Sequence, residues 1–283
     1  MYFLGDQNAS KKENDMCIRA FDSHCHIDLL LDRGQPIMDK YSDLRCGGLS
    51  WAFPEHIDSW YEYPSYWQNL RTLILRLRES GLPFFYLVGI HPRCIPYDLS
   101  KEQIMPTILQ ESLEEHMSDP LCSGLGELGL ESGSFEEEKI LEWQLSWALS
   151  CLPKHKRLGI HTPRNNKRAV SEQILRLLSS YEDLKDFIVI DHLTSEIWDL
   201  MLQDSYMLGM TLQEGKASVN DLMTILADRP QIAERLMINS DSAISFSEPY
   251  FTWLQKNCGL KDDTFEMLAW RNAVNFFHIP IRV

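Results

Sequence analysis

Two histidines two residues apart, His24 and His26, stand in the run Asp22-Ser23-His24-Cys25-His26. On a strand, residues with this spacing face the same side, so both imidazoles can reach one metal ion. Alone the pair is a weak signal, because surface histidines so spaced are common. Four other places hold residues of the same chemistry. Glu127 lies in Gly124-Leu125-Gly126-Glu127-Leu128-Gly129-Leu130, where a carboxylate can bridge two cations or turn glycines can simply flank an exposed acid. His161 ends Leu158-Gly159-Ile160-His161, and His192 ends Ile188-Val189-Ile190-Asp191-His192. One histidine past an apolar run reads more readily as a satisfied core residue; two on successive runs, both at the same end, are harder to explain that way. Asp241, in Met237-Ile238-Asn239-Ser240-Asp241-Ser242, can ligate metal and take a proton from an attacking water. Its plainer reading is an N-cap for the next helix.

The elements that must position these residues show a rhythm. Eight short apolar runs, at 17–21, 46–53, 84–90, 121–126, 157–160, 187–190, 206–211 and 236–238, each end in a polar motif. Between them, 70–80, 135–152, 167–180, 197–202, 219–227 and 263–277 carry apolar residues at helical spacing. Strands alternating with helices imply βαβ units and a parallel sheet. Eight of them predict an α/β fold closed as a (β/α)8 TIM barrel, a single domain over residues 18–283. Such barrels carry their chemistry at the C-terminal ends of the strands. Here metal-type residues end runs one, four, five, six and eight, which places them in one ring at the barrel mouth. Four histidines and two carboxylates suit one or two borderline-hard divalent ions.

The chain has 283 residues, close to the roughly 250 of one such barrel. Its composition, 44% hydrophobic and 24% charged, is that of a globular protein that needs no disulfide staples. A formal charge of -14 argues against an extended basic groove for nucleic acid, although bound divalent ions add positive charge that the count omits. Seven scattered cysteines, with no CxxC pair, read as free thiols of a cytoplasmic protein. Cys25, between two candidate ligands, alternates away from them and packs. Residues 1–17 are polar and lack an apolar signal core, which predicts a loose N-terminal extension. No apolar run is long enough to span a membrane.

The motifs resemble those of the TatD-related metal-dependent hydrolases of the amidohydrolase superfamily. The resemblance runs from Phe21 to Phe277 and rests, in order, on Asp22-Ser23-His24-Cys25-His26-Ile27-Asp28, Val88-Gly89-Ile90-His91-Pro92, Gly126-Glu127-Leu128-Gly129-Leu130-Glu131, Ile160-His161-Thr162-Pro163-Arg164, Ile190-Asp191-His192 and Asn239-Ser240-Asp241-Ser242. The closing Asn272-Ala273-Val274-Asn275-Phe276-Phe277 is similar too. The resemblance implies a hydrolase holding one to three divalent ions (Zn, Mg or Mn). It implies that His24, His26 and Asp241 bind one ion, that Glu127 bridges to a second, and that His161 and His192 hold the second. It implies that His91 contacts substrate or a further ion. The chain departs from the family's nucleases at Arg93, where they carry His, and at Glu131, where Asp is usual. The stretches 161–167 and 209–216 look closer to a less studied TatD-related branch.

The ligand set implies a mechanism. Paired cations lower the pKa of a shared water, Glu127 holds them together, and Asp241 accepts the proton. Arg93 and Arg164 are candidate substrate-binding residues, because guanidinium pairs with phosphate through two hydrogen bonds. Lys216 is a weaker candidate of the same kind. Two substrates stay open: a phosphodiester, as in a deoxyribonuclease acting on nucleic-acid ends, or a small-molecule ester, amide, lactone or phosphoester. A non-catalytic binding module is the third reading, and a complete ligand set argues against it. The aromatic segment 51–67, with Trp51 and Phe53, either walls the pocket or packs on the barrel rim.

Overall fold

The computed structural model describes residues 18–280. The extension expected over 1–17 lies outside them. Eight strands form one sheet in sequence order: β1 (Ala20–Cys25), β2 (Cys46–Ser50), β3 (Phe84–Val88), β4 (Cys122–Gly129), β5 (Arg157–His161), β6 (Ile188–Ile190), β7 (Met207–Thr211) and β8 (Leu236–Asn239). Every neighbouring pair is parallel. The strands are buried along nearly their whole length, which explains why they read as continuous apolar runs rather than alternating ones.

Closure happens at the mouth. The Asp241 N–H donates to the His24 carbonyl at 2.9 Å, and the His26 N–H donates to the Ser242 carbonyl at 2.8 Å. The segment after β8 is thereby laid along the end of β1, and Asp241 comes beside the paired histidines. The protein is a single-domain (β/α)8 barrel.

Two apolar layers hold it. The larger lies between strands and helices; the smaller fills the barrel interior with Phe21, Leu49, Trp51, Phe85, Leu87 and Met237. The register of β1 against β2 shifts between Asp22 and Cys25. That irregularity lets Phe21 and His24 both face the interior, while Cys25 packs in the outer layer. A side chain on Gly159 of β5 would collide with the Trp51 ring, so this glycine makes room for the indole beneath the site.

Most helices lie where their spacing predicts. Helix Phe135–Cys151 starts at Ser134, whose hydroxyl accepts from the Glu137 N–H. Helix Tyr63–Glu79 begins seven residues before the expected 70, since Tyr63 and Trp67 extend the buried stripe of Leu70, Ile74 and Leu77. The rim reading thus fits Tyr63 and Trp67. Trp198–Met201 is one turn rather than a full helix. Helices Thr107–Ser118 and Glu248–Lys256 were not expected; Pro106 precedes the first, Pro249 lies in the first turn of the second, and their buried stripes are short. Asn272, in the closing helical segment, donates to the carbonyls of Ala233 and Leu236 and so ties that segment to the start of β8.

Candidate metal centre

His24 and His26 come from the end of β1, Glu127 from β4, His161 from the last residue of β5, and His192 and Asp241 from the turns after β6 and β8. All six are buried, and the fold brings them together. His24, Glu127 and His161 sit inside their strands rather than past them, because polar side chains interrupt an apolar run without interrupting the hydrogen-bonded ladder. His192 and Asp241 adopt left-handed backbone, with φ of 61° and 46°. Non-glycine residues held this way cluster at functional sites.

Glu127 occupies the middle, and its two oxygens face different partners. Oε2 lies 3.3 Å from His24 Nε2 and 3.6 Å from His26 Nε2. Oε1 lies 2.7 Å from His161 Nδ1 and 3.3 Å from His192 Nε2. Asp241 Oδ1 joins the first group, 3.1 Å from His26 Nε2 and 3.6 Å from His24 Nε2.

Each imidazole is fixed from behind. His24 Nδ1 lies 2.5 Å from Asp191 Oδ2, and its ring stacks on Trp51 with centroids 3.9 Å apart. His26 Nδ1 meets the Trp51 carbonyl at 3.0 Å. His161 Nε2 meets Glu131 at 2.8 Å. His192 Nδ1 meets the Thr211 hydroxyl at 2.7 Å, and that hydroxyl donates onward to Asn239. The rear partners of His24, His26 and His161 are acceptors, and the Thr211 hydroxyl, which donates to Asn239, accepts from His192 although Lys216 also approaches that nitrogen. A proton on each rear nitrogen turns the front nitrogen's lone pair towards an ion. These front nitrogens face carboxylate oxygens, with protons shared between them in the metal-free centre where cations would take their place. Among the described residues His24 Nε2 is buried without a hydrogen-bond partner. The donor set therefore fits divalent ions.

His91 is oriented the other way. Its Nδ1 accepts the Arg93 N–H at 2.9 Å, so Nε2 carries the proton and points into the cleft, 3.6 Å from Glu127 Oε1. It is placed as a donor. Its ring packs edge-on against Phe53, over which the Arg93 guanidinium also lies. Arg93 and Arg164 line the same cleft of about 600 Å³.

The charges are strongly coupled. Burial alone would raise the Glu127 carboxyl, but His24, His91 and His161 hold it well below the usual range. Burial likewise opposes ionisation of Asp241, and Lys216 and His26 overcome it. Against burial, Glu127 and Asp191 push His24 up to about 10. Burial brings His91 down to about 4, and burial with the Lys216 charge brings His192 down to about 3.

Four functional contacts escaped the sequence reading. Asp191 was quoted only as the neighbour of His192, yet it orients His24. Glu131 had no role beyond a departure from the family, yet it orients His161. Trp51 supports both β1 histidines. Lys216 forms an ion pair with Asp241. Only Asp191 carried a usable signal, a carboxylate beside a candidate ligand at a strand end.

No family model matches the chain. An uncharacterised metal-dependent hydrolase of Methanocaldococcus jannaschii is 25% identical over 224 residues, 77% of this chain and 83% of that one. The crystal structure of a TatD-like protein from Archaeoglobus fulgidus superposes with a TM-score of 0.71 at 29% identity, over 92% of this chain and all of that one. The manganese-bound 5-carboxyvanillate decarboxylase of Novosphingobium aromaticivorans shares the fold, with a TM-score of 0.60 at 10% identity, over 93% of this chain and 97% of that one. Over 92% of its length the chain is thus similar to a TatD-like barrel, and over 77% to a metal-dependent hydrolase.

Proposed function

We propose that this protein is a divalent-metal-dependent hydrolase that uses a metal-activated water, with phosphodiester ends as substrate. The observation that carries the reading is the division of Glu127, with one oxygen towards His24, His26 and Asp241 and the other towards His161 and His192. In this reading His24, His26 and Asp241 would hold one ion and His161 and His192 a second, with Glu127 placed to serve both. Zinc or manganese suits so many imidazoles better than magnesium does. Such ions, when bound, acidify water and polarise the scissile group.

The chain's own groups do the rest. Asp241 orients the attacking water and accepts its proton on the oxygen that Lys216 otherwise pairs with. His91 donates from Nε2 to a substrate oxygen. Arg93 and Arg164 hold an anionic group across the cleft. Phe53, against His26 and His91, walls the pocket. No helix among the described residues is long and apolar enough to cross a membrane, and a cytoplasmic setting suits the free thiols.

The second reading is a small-molecule ester, amide, lactone or phosphoester. The charge of -14 and a cleft of only about 600 Å³ favour it. Metal-loaded protein assayed on end-labelled single-stranded DNA, on bis(p-nitrophenyl) phosphate and on p-nitrophenyl esters separates the two. Chelator-sensitive release from the phosphodiesters supports the first; turnover of carboxyl esters alone replaces it with the second. Loss of no substrate under any metal overturns both.

A further inference from the structure

A second, smaller chamber opens beside the metal cleft, between the turns after β5, β6 and β7. His192 and Lys216 form the partition, since both line the chamber and the cleft. The rest of its wall includes Arg164, Lys167, Thr162 and Thr194. Three of these six side chains are cations, and two are hydroxyls.

Two of the cations are unusual for their depth. The Lys216 side chain is only 7% exposed. Lys167 is buried, and its ammonium is held by the Thr162 hydroxyl at 2.9 Å and the Pro163 carbonyl at 2.9 Å. Neither partner is charged, and among the described residues Lys167 enters no ion pair. A buried ammonium is normally kept only with a counter-charge. Arg164 is exposed at the rim, and among the described residues its side chain hydrogen-bonds only to the Gln213 side chain, at 3.5 Å. Among the described residues, the buried Thr194 hydroxyl has no hydrogen-bond partner. The one carboxylate on the wall, Glu196, is spent on the Arg168 backbone N–H. Lys216 pairs with Asp241, a carboxylate that would also serve an ion in the centre, and its ammonium lines the chamber as well.

We infer that this chamber is an anion subsite for a phosphomonoester group, separate from the scissile bond and one imidazole away from it. The inference rests on the hydrolase reading for its substrate. It narrows the substrate class to molecules with a terminal phosphate beside the bond that is cut. A tetrahedral dianion offers several acceptor oxygens, which Lys216, Arg164, Lys167 and Thr194 can meet from different sides.

The test uses the full-length, metal-loaded protein. Crystals are soaked in tungstate, and binding of inorganic phosphate is measured by calorimetry for the wild type, Arg164→Gln and Lys167→Met, with acetate as the carboxylate control. The expected result is an anomalous tungsten peak in the chamber, a loss of phosphate affinity of tenfold or more in either variant, and much weaker acetate binding. Lys167 is buried, so circular dichroism checks its fold. Arg164 is exposed, and Arg164→Gln alone decides the matter if the other variant unfolds. Tungsten confined to the histidine cleft, wild-type phosphate affinity in folded Arg164→Gln, or acetate binding equal to phosphate overturns the subsite. If tungstate sits in the chamber yet no ester is hydrolysed, the subsite stands and the hydrolase reading falls.

Discussion

Asp191 Oδ2 lies 2.5 Å from His24 Nδ1, and Asn239 donates to both oxygens of the same carboxylate, at 2.9 and 3.0 Å. His24 is thereby held with its Nε2 facing Glu127. A carboxylate behind a ligating imidazole sets its tautomer and its basicity. Asp191→Asn keeps the shape but loses the charge. We expect metal affinity to fall by about 10–100-fold. Competition against a chromophoric chelator measures it, and unchanged affinity would remove Asp191 from this role.

Asp241→Asn retains an oxygen for the ion but cannot take a proton. Turnover should drop by roughly 10²–10⁴-fold, the usual share of a positioned base. The melting temperature of the metal-free protein should fall, because the buried Lys216 loses its counter-charge, so turnover is compared on protein shown by circular dichroism to be folded. A variant as active as the wild type, on whichever ester the wild type hydrolyses, contradicts the mechanism.

Metal binding should strengthen with pH. His24, pushed up to about 10, carries a proton in the metal-free centre at neutral pH, and an ion must displace it. Below that value each proton displaced weakens apparent affinity about tenfold per pH unit. The sign for folding is opposite. A histidine whose folded pKa is raised from 6.5 stabilises the metal-free chain fully below 6.5, and that stability is lost as pH rises through about 10. Calorimetry in buffers of different ionisation enthalpy should show proton release, and urea titrations of chelated protein should show stability declining from neutral to alkaline pH. Pre-release of the proton, seen as buffer-independent heats, would contradict the assignment.

Gly159→Ala should destabilise the barrel by about 1–3 kcal/mol, the cost of overpacking. The new methyl meets the Trp51 ring, which supports His24 by stacking and His26 through its carbonyl. Urea unfolding measures the loss, and a weakened metal affinity should accompany it. A variant with wild-type stability would mean that Trp51 shifts without cost.

The strand order of the barrel and the residues at its mouth were legible in the sequence because each rests on a local property. Buried parallel strands read as apolar runs, and the six candidate residues stood at the ends of five of them. The alternation of His24 and His26 needs no tertiary information. What the sequence could not carry is pairing across the mouth. Asp191 behind His24, Glu131 behind His161 and Lys216 against Asp241 join residues 167, 30 and 25 positions apart. Each is a polar side chain whose local surroundings look like any strand end or loop. The same holds for His91: only the fold reveals that its Nδ1 is taken by the Arg93 N–H, which turns a histidine of ligand type into a donor. Residue type and strand position determine which groups reach the mouth, whereas proton positions and charge balance depend on distances that closure of the barrel alone sets.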